Sequence, residues 1–229
     1  MDSPGYLSDD HDRQFEVQLL SEHEIPSSGN AFISLDALLR GSSLLRRQRH
    51  LIASILASSV VQLQSTPWLT EKLDKRDIVF LKRGIEVILE HPYVRHSFEA
   101  VNSIQPSSVS SASLPGDRFA ARIATRNSLS SLGIVLLELC FGQVIEDQPR
   151  WKHHLGADGM PHDGTDYMTA RDWAEMVCDQ EPEFDSIIKK CVHWTFEEKA
   201  DWSNQNFTAA VYCKIVQPLE KINQRWPVT

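Results

Sequence analysis

The sequence predicts a mainly α-helical domain carrying one small β-hairpin. Two segments repeat apolar residues at helical spacing: Leu45, Ile52, Ile55, Leu56, Val60 and Leu63 in the first, and Leu132 to Phe141 in the second. Between them, Asp77–Leu81 and Ile85–Leu89 are short β-favouring runs on either side of Lys82-Arg83-Gly84. That arrangement reads as a hairpin whose Gly84 is free to take a positive φ. Strands and helices do not alternate as in a βαβ protein, so helices set the class.

The first 13 residues are acidic and polar and predict a disordered tail, which leaves 14–229 as a single domain. Phe15 to Leu20 alternates briefly and reads as a strand, and Pro26-Ser27-Ser28-Gly29-Asn30 as a turn. Ser34 is placed to cap a short helix through Leu39. The first long helix is expected from about Ser43 to Gln64, ended by Thr66-Pro67, because a residue before proline disfavours the helical conformation. Its basic cluster, Arg46, Arg47, Arg49 and His50, reads as a solvated face. The stretch at about 103–118 is rich in Ser and Pro and predicts a mobile loop. A second long helix follows over about 126–141, with Gly142 as its stop. A glycine-bearing loop over 143–166 leads to helices at about 168–178, 182–194 and 204–224, the last kinked or divided by Pro218.

Composition excludes several classes. The formal net charge of −8 argues against a dedicated surface for nucleic acid or anionic membrane. The longest apolar stretch, Leu132 to Phe141, is far too short to span a bilayer, and the acidic start is unlike a signal peptide. Cys140, Cys178, Cys191 and Cys213 form no CxxC pair and fall in apolar helical contexts. They read as small core residues in a reducing compartment, so a cytoplasmic or nuclear protein is expected. Most of the six tryptophans read as core closures.

The run Ser131-Leu132-Gly133-Ile134-Val135-Leu136-Leu137-Glu138-Leu139-Cys140-Phe141-Gly142 resembles the buried central helix of a protein-kinase C-lobe, S-x-G-x-x-x-x-E-L-x-x-G. Ser43 to Ser65 is similar to the long helix before a kinase catalytic loop, and Ile33 to Leu39 to the segment after the hinge. Asp77-Ile78-Val79-Phe80-Leu81 stands where kinases have N-I-L-L, and Ile187 to Trp194 resembles a late C-lobe segment. Three motifs, Ser58 to Leu69, Leu132 to Gly142 within the run above, and Val211 to Glu220, resemble those of a fungal family without assigned activity whose members look like degenerate kinase C-lobes. The resemblance covers roughly residues 31 to 222. It implies a kinase C-lobe-like fold with the N-lobe absent or vestigial, since too few residues precede 31 to build one.

The resemblance also locates the catalytic positions. Phosphoryl transfer needs a base at the acceptor hydroxyl, metal ligands, a lysine on the phosphates and a covering loop. Setting Asp77-Ile78-Val79-Phe80 on N-I-L-L puts Thr70-Glu71-Lys72 at H-R-D, so Lys72 stands at the catalytic aspartate and Asp77 at the metal-binding asparagine. A register slip offers Asp74 as the aspartate, without the preceding histidine and arginine. Glu90-His91-Pro92 falls near D-F-G, with Pro92 replacing the glycine. Asp77 and Glu90 are then the only acidic pair that the resemblance turns toward one cleft, as a residual cofactor-binding site, with exposed carboxylates beside a hairpin as the plainer reading. His153, His154, His162, Asp163 and Asp166 crowd one loop at a spacing that matches no metal motif, and read as a solvated loop.

The expectation is a non-catalytic, pseudokinase-like interaction or scaffold module. It would have no cofactor and no metal, and would bind a protein partner or the remainder of a longer chain. A homodimer would form through the face left open by the missing N-lobe. The alternative is an atypical nucleotide- or metal-dependent enzyme using the cleft near Asp77 and Glu90.

Overall fold

The computed structural model describes residues 5–8, 14–17, 30–41, 44–64, 72–95 and 115–226. In chain order the elements are β1 (Gly5–Ser8), β2 (Gln14–Val17), β3 (Asn30–Ser34), α1 (Leu35–Gly41) and α2 (Arg46–Leu63). The hairpin β4 (Ile78–Arg83) and β5 (Glu86–Val94) precedes α3 (Pro115–Phe141). Two 3₁₀ turns, Ile145–Asp147 and Pro149–His154, lead to α4 (Thr165–Ala174), α5 (Val177–Gln180) and α6 (Pro182–Val192). The chain then runs through α7 (Gln205–Val211), a π turn at Tyr212–Val216, and α8 (Gln217–Gln224). The fold is mainly helical, with a small three-stranded antiparallel sheet in the order β3-β4-β5.

The core forms around α3. From Leu129 to Cys140 this helix is buried on nearly all sides, packed by α2, α4 and α6. Gly133 permits the close approach of α6. A Cβ there would lie 2.7 Å from Cys191 Cβ and 2.9 Å from Val192 Cγ2, so α6 crosses α3 at a distance only glycine allows. Helix α3 stops at Gly142, whose φ of +67° is the left-handed conformation of a helix C-terminus. Gly142 N–H donates to Glu138 O at 2.7 Å, while Arg49 of α2 donates to Leu139 O and Cys140 O at 3.0 and 2.7 Å. Those last carbonyls have no partner within the helix, and a guanidinium also suits the negative end of its dipole.

Several expectations are met locally. Ala37 N–H donates to Ser34 Oγ at 3.2 Å, so Ser34 caps α1. Gly84 turns the β4–β5 hairpin at φ +60°. Ahead of Pro218, Gln217 N–H reaches back five residues to Tyr212 O, and the expected division appears as the π turn between α7 and α8.

Others need correction. Gly5–Ser8, expected in the disordered tail, form β1 and pair antiparallel with β2, a pairing across residues that no local pattern reports. Residues 103–114 of the expected mobile loop lie outside the described residues, but Pro115–Arg118 belong to α3, which starts eleven residues before the expected Arg126. Proline suits a first helical turn, and the following Phe-Ala-Ala-Arg-Ile-Ala continues the helix by propensity before any burial begins. Cys178 and Cys213 are exposed rather than core, unlike Cys140 and Cys191, and all four are free. The basic start of α2 is not simply solvated. Arg46 grips the buried Glu181 with two bonds of 2.5 Å, and His50 is itself buried against the Phe184 ring. His50 Nδ1 accepts from Trp226 Nε1–H at 3.2 Å, and burial holds this imidazole below the ordinary histidine pKa.

No helix among the described residues is long and apolar enough to cross a membrane.

Replacing Gly133 by alanine should push α3 and α6 apart. The expected loss is about 1–3 kcal/mol, the usual cost of overpacking. It would be read as a lower urea midpoint at unchanged slope, with alanine at the open Gly41 as the neutral control.

Candidate functional site

The turn before β4 is fixed by unusually many polar contacts. Asp74 O accepts from the N–H groups of Asp77 and Ile78 at 3.0 and 3.3 Å. Its carboxylate accepts from Arg76 N–H at 2.8 Å and from the Arg76 guanidinium at 2.5–3.1 Å. Leu73 N–H donates to Ser131 Oγ at 2.8 Å, which ties the turn to α3. Lys75 O accepts from Asp36 N–H at 3.2 Å, which ties it to α1.

Lys75 carries the strongest of these ties. Its side chain is buried, with Nζ 2.5 Å from Glu138 Oε1 and 2.6 Å from Glu146 Oε2. Glu138 is 1% exposed in the last turn of α3, and its Oε1 also accepts from Ile145 N–H at 2.9 Å. Its Oε2 is buried with no partner. Arg40 extends the network to Asp36, Glu146 and Asp147.

The electrostatics follow from this geometry. Burial pushes the Glu138 carboxyl up to about 7, against the pull of Lys75 and the Ile145 N–H. Burial also opposes the Lys75 ammonium, but Glu138 and Glu146 outweigh it and hold Lys75 above the ordinary lysine value. Glu146 and Asp74 lie below the usual carboxylate range, since the Lys75 and Arg76 bonds overcome their partial burial.

Beside this network lies a cavity of about 420 Å³. Residues 72–76 form one wall, α3 from Arg126 to Glu138 a second, and the start of α4 a third. Trp194 closes one side with its backbone at φ +54°, a strained conformation for a bulky residue, and the Arg126 guanidinium sits 5.0 Å above its ring.

The expected site residues lie elsewhere. Asp77 is exposed just before β4, where its carbonyl accepts from Arg95 N–H at 2.8 Å. Glu90 is exposed on β5, in a stretch where Leu89, Glu90, His91 and Pro92 together stand opposite Phe80 alone. Pro92, which has no N–H to give a ladder, is accommodated by that irregularity. Glu90 lines a different cavity, beside Arg47 and Gln48, whose lining does not include Asp77. Lys72 is exposed at the rim of the larger cavity. In the histidine-bearing loop, His154 Nε2 is 3.0 Å from Asp172 Oδ2 and His162 Nδ1 accepts from Gly164 N–H. No group of three His, Cys, Asp or Glu side chains able to hold a metal occurs among the described residues.

Sequence reasoning missed Lys75, Glu146 and the burial of Glu138. The last left a signal: a charged residue between Leu137 and Leu139 in an apolar run must find a buried partner. Nothing in the sequence around Lys75 names it as that partner.

Fold and site together define a mainly helical protein with a small antiparallel sheet, whose central helix holds a buried carboxylate against a lysine from the turn before β4. The chain belongs to the family described as a domain of unknown function (DUF7580), which it matches over residues 6–226. No curated protein and no solved structure matches it.

Two outcomes follow from the network. Lys75→Met should cost about 3–5 kcal/mol, because Glu138 stays buried without its counter-charge, and the double variant Lys75→Met with Glu138→Leu should recover most of that in urea denaturation. Asp74 and Glu146 have folded pKa values below their unfolded ones, so their stabilisation is present above the ordinary carboxylate range and is lost as pH falls through the folded values. The urea midpoint should therefore fall below about pH 4.5, and Asp74→Asn with Glu146→Gln should flatten that fall.

Proposed function

We propose that this domain is a non-catalytic interaction module on a protein-kinase C-lobe-like plan. The order of a long α2, the β4–β5 hairpin, the buried α3 and the later helices supports that plan, as do the quoted motifs. The observation that carries the loss of chemistry is the state of the turn 72–77, which the resemblance aligns with a catalytic loop. A phosphoryl-transfer loop needs a carboxylate free to take the acceptor proton. Here Asp74 is held by Arg76, Lys75 is buried against Glu138 and Glu146, and Lys72 brings an ammonium to the base position. The turn serves as a structural clasp.

The interaction half of the reading rests on the outer face of the three-stranded sheet. Phe32, Leu81 and Ile88 are cross-strand neighbours, as are Ser34, Val79 and Tyr93, so these residues share one face. Phe32 and Tyr93 are 57% and 49% exposed and meet edge to face at 5.9 Å between ring centroids. Ile85 at the hairpin turn is fully exposed. Clustered exposed aromatic residues are the usual core of a protein-binding patch. The partner is another protein, the rest of a longer chain, or a second copy of this domain.

ATP with Mg²⁺ should give no thermal shift and no phosphate transfer. A shift of several degrees, lost in Asp77→Ala, would refute the non-catalytic reading. Light scattering at rising concentration tests the second-copy version, which predicts association that Phe32→Glu abolishes.

A further inference from the structure

We propose that the cavity between residues 72–76, α3 and the start of α4, which Glu138 helps to line, binds an alkylammonium group, of a free amine or of a lysine side chain. Its volume of about 420 Å³ lies in the range of small-ligand sites, roughly 300–1,000 Å³.

The first argument is a deficit of positive charge. Among the described residues, five carboxylates, Asp36, Asp74, Glu138, Glu146 and Asp147, stand around three cations, Lys75, Arg40 and Arg76. Both donors that reach Glu138 go to Oε1, and Oε2 is buried without one. A buried carboxylate oxygen lacking a donor is costly, and a further cation would answer both the missing bond and the missing charge.

The lining also selects for a cation. Asp163 in the cavity wall makes no hydrogen bond or ion pair among the described residues, which leaves a second carboxylate available. The basic groups of the lining are engaged: Arg76 on Asp74, Arg126 over Trp194, and Lys72 in a contact of its own. Ile134, Val135 and Tyr167 supply apolar and aromatic surface for a methylene stem. A metal ion fits less well, since Lys75 Nζ already holds Glu138 Oε1 and no three ligating side chains converge among the described residues.

This proposal stands apart from the non-catalytic reading, because ATP binding would overturn that reading and leave this site untouched. The test is calorimetry on the intact chain with butylammonium chloride, N-acetyl-lysine N-methylamide and, as the uncharged match, butanol. Saturable one-to-one binding of the ammonium probes, at least tenfold tighter than butanol, is expected. Glu138→Gln should weaken it at least tenfold and Asp163→Asn several-fold, and Asp163 is exposed, so the second variant keeps the test available if the first does not fold. Tighter binding of the lysine derivative assigns the site to a side chain, and tighter binding of butylammonium to a free amine. No binding, equal binding of butanol, or binding indifferent to both substitutions would overturn the proposal.

Discussion

A buried carboxylate in the last turn of the central helix constrains much of what surrounds it. Glu138 can be accommodated there only if donors are brought to it, and they come from two separate parts of the chain: Lys75 from the turn before β4 and the Ile145 N–H from the 3₁₀ turn after α3. Meeting that need fixes where the hairpin begins and how the chain leaves α3. It also draws in α1, through Asp36 and Arg40. One desolvated charge thus sets the relative positions of four segments that hydrophobic packing alone would leave freer to slide. Ser131, one turn on the N-terminal side of Ile134, adds a neutral tie from the same helix to Leu73.

The same helix shows why a kinase-like run of residues need not signal kinase chemistry. Its glycine is required by the approach of α6, its leucines by the core, and its glutamate by the clasp on Lys75. None of these requirements concerns a nucleotide. Packing and one buried ion pair are enough to account for every residue type in that run.

Much of the fold was legible in the sequence because it depends on local rules. The apolar spacing of α2 and α3, the positive-φ glycines 84 and 142, the Ser34 cap and the break at Pro218 all act within a few residues of where they are written. What escaped depends on residues far apart. Arg49 capping α3 spans about ninety positions, Arg46 on Glu181 more, and β3 joins the sheet by pairing with β4 across two helices. The candidate site divides the same way. Asp77 and Glu90 were chosen by aligning a motif, whereas the Lys75–Glu138–Glu146 cluster exists only once three distant segments have met. The early start of α3 is a different kind of miss, since propensity alone carries an exposed helical stretch for which hydrophobic periodicity gives no sign.

The contact between His50 and Trp226 joins residues 176 positions apart and closes the seam between the α2 start and the end of α8. Bringing those two rings together closes a very long loop, so the contact is expected to follow the local structure of the helices and hairpin in folding. A chain arrested before this step would already hold most of its helices and its sheet. It would still show Phe184 and the Glu181 carboxylate to solvent along an unsealed edge, the surface a quality-control protein would meet first.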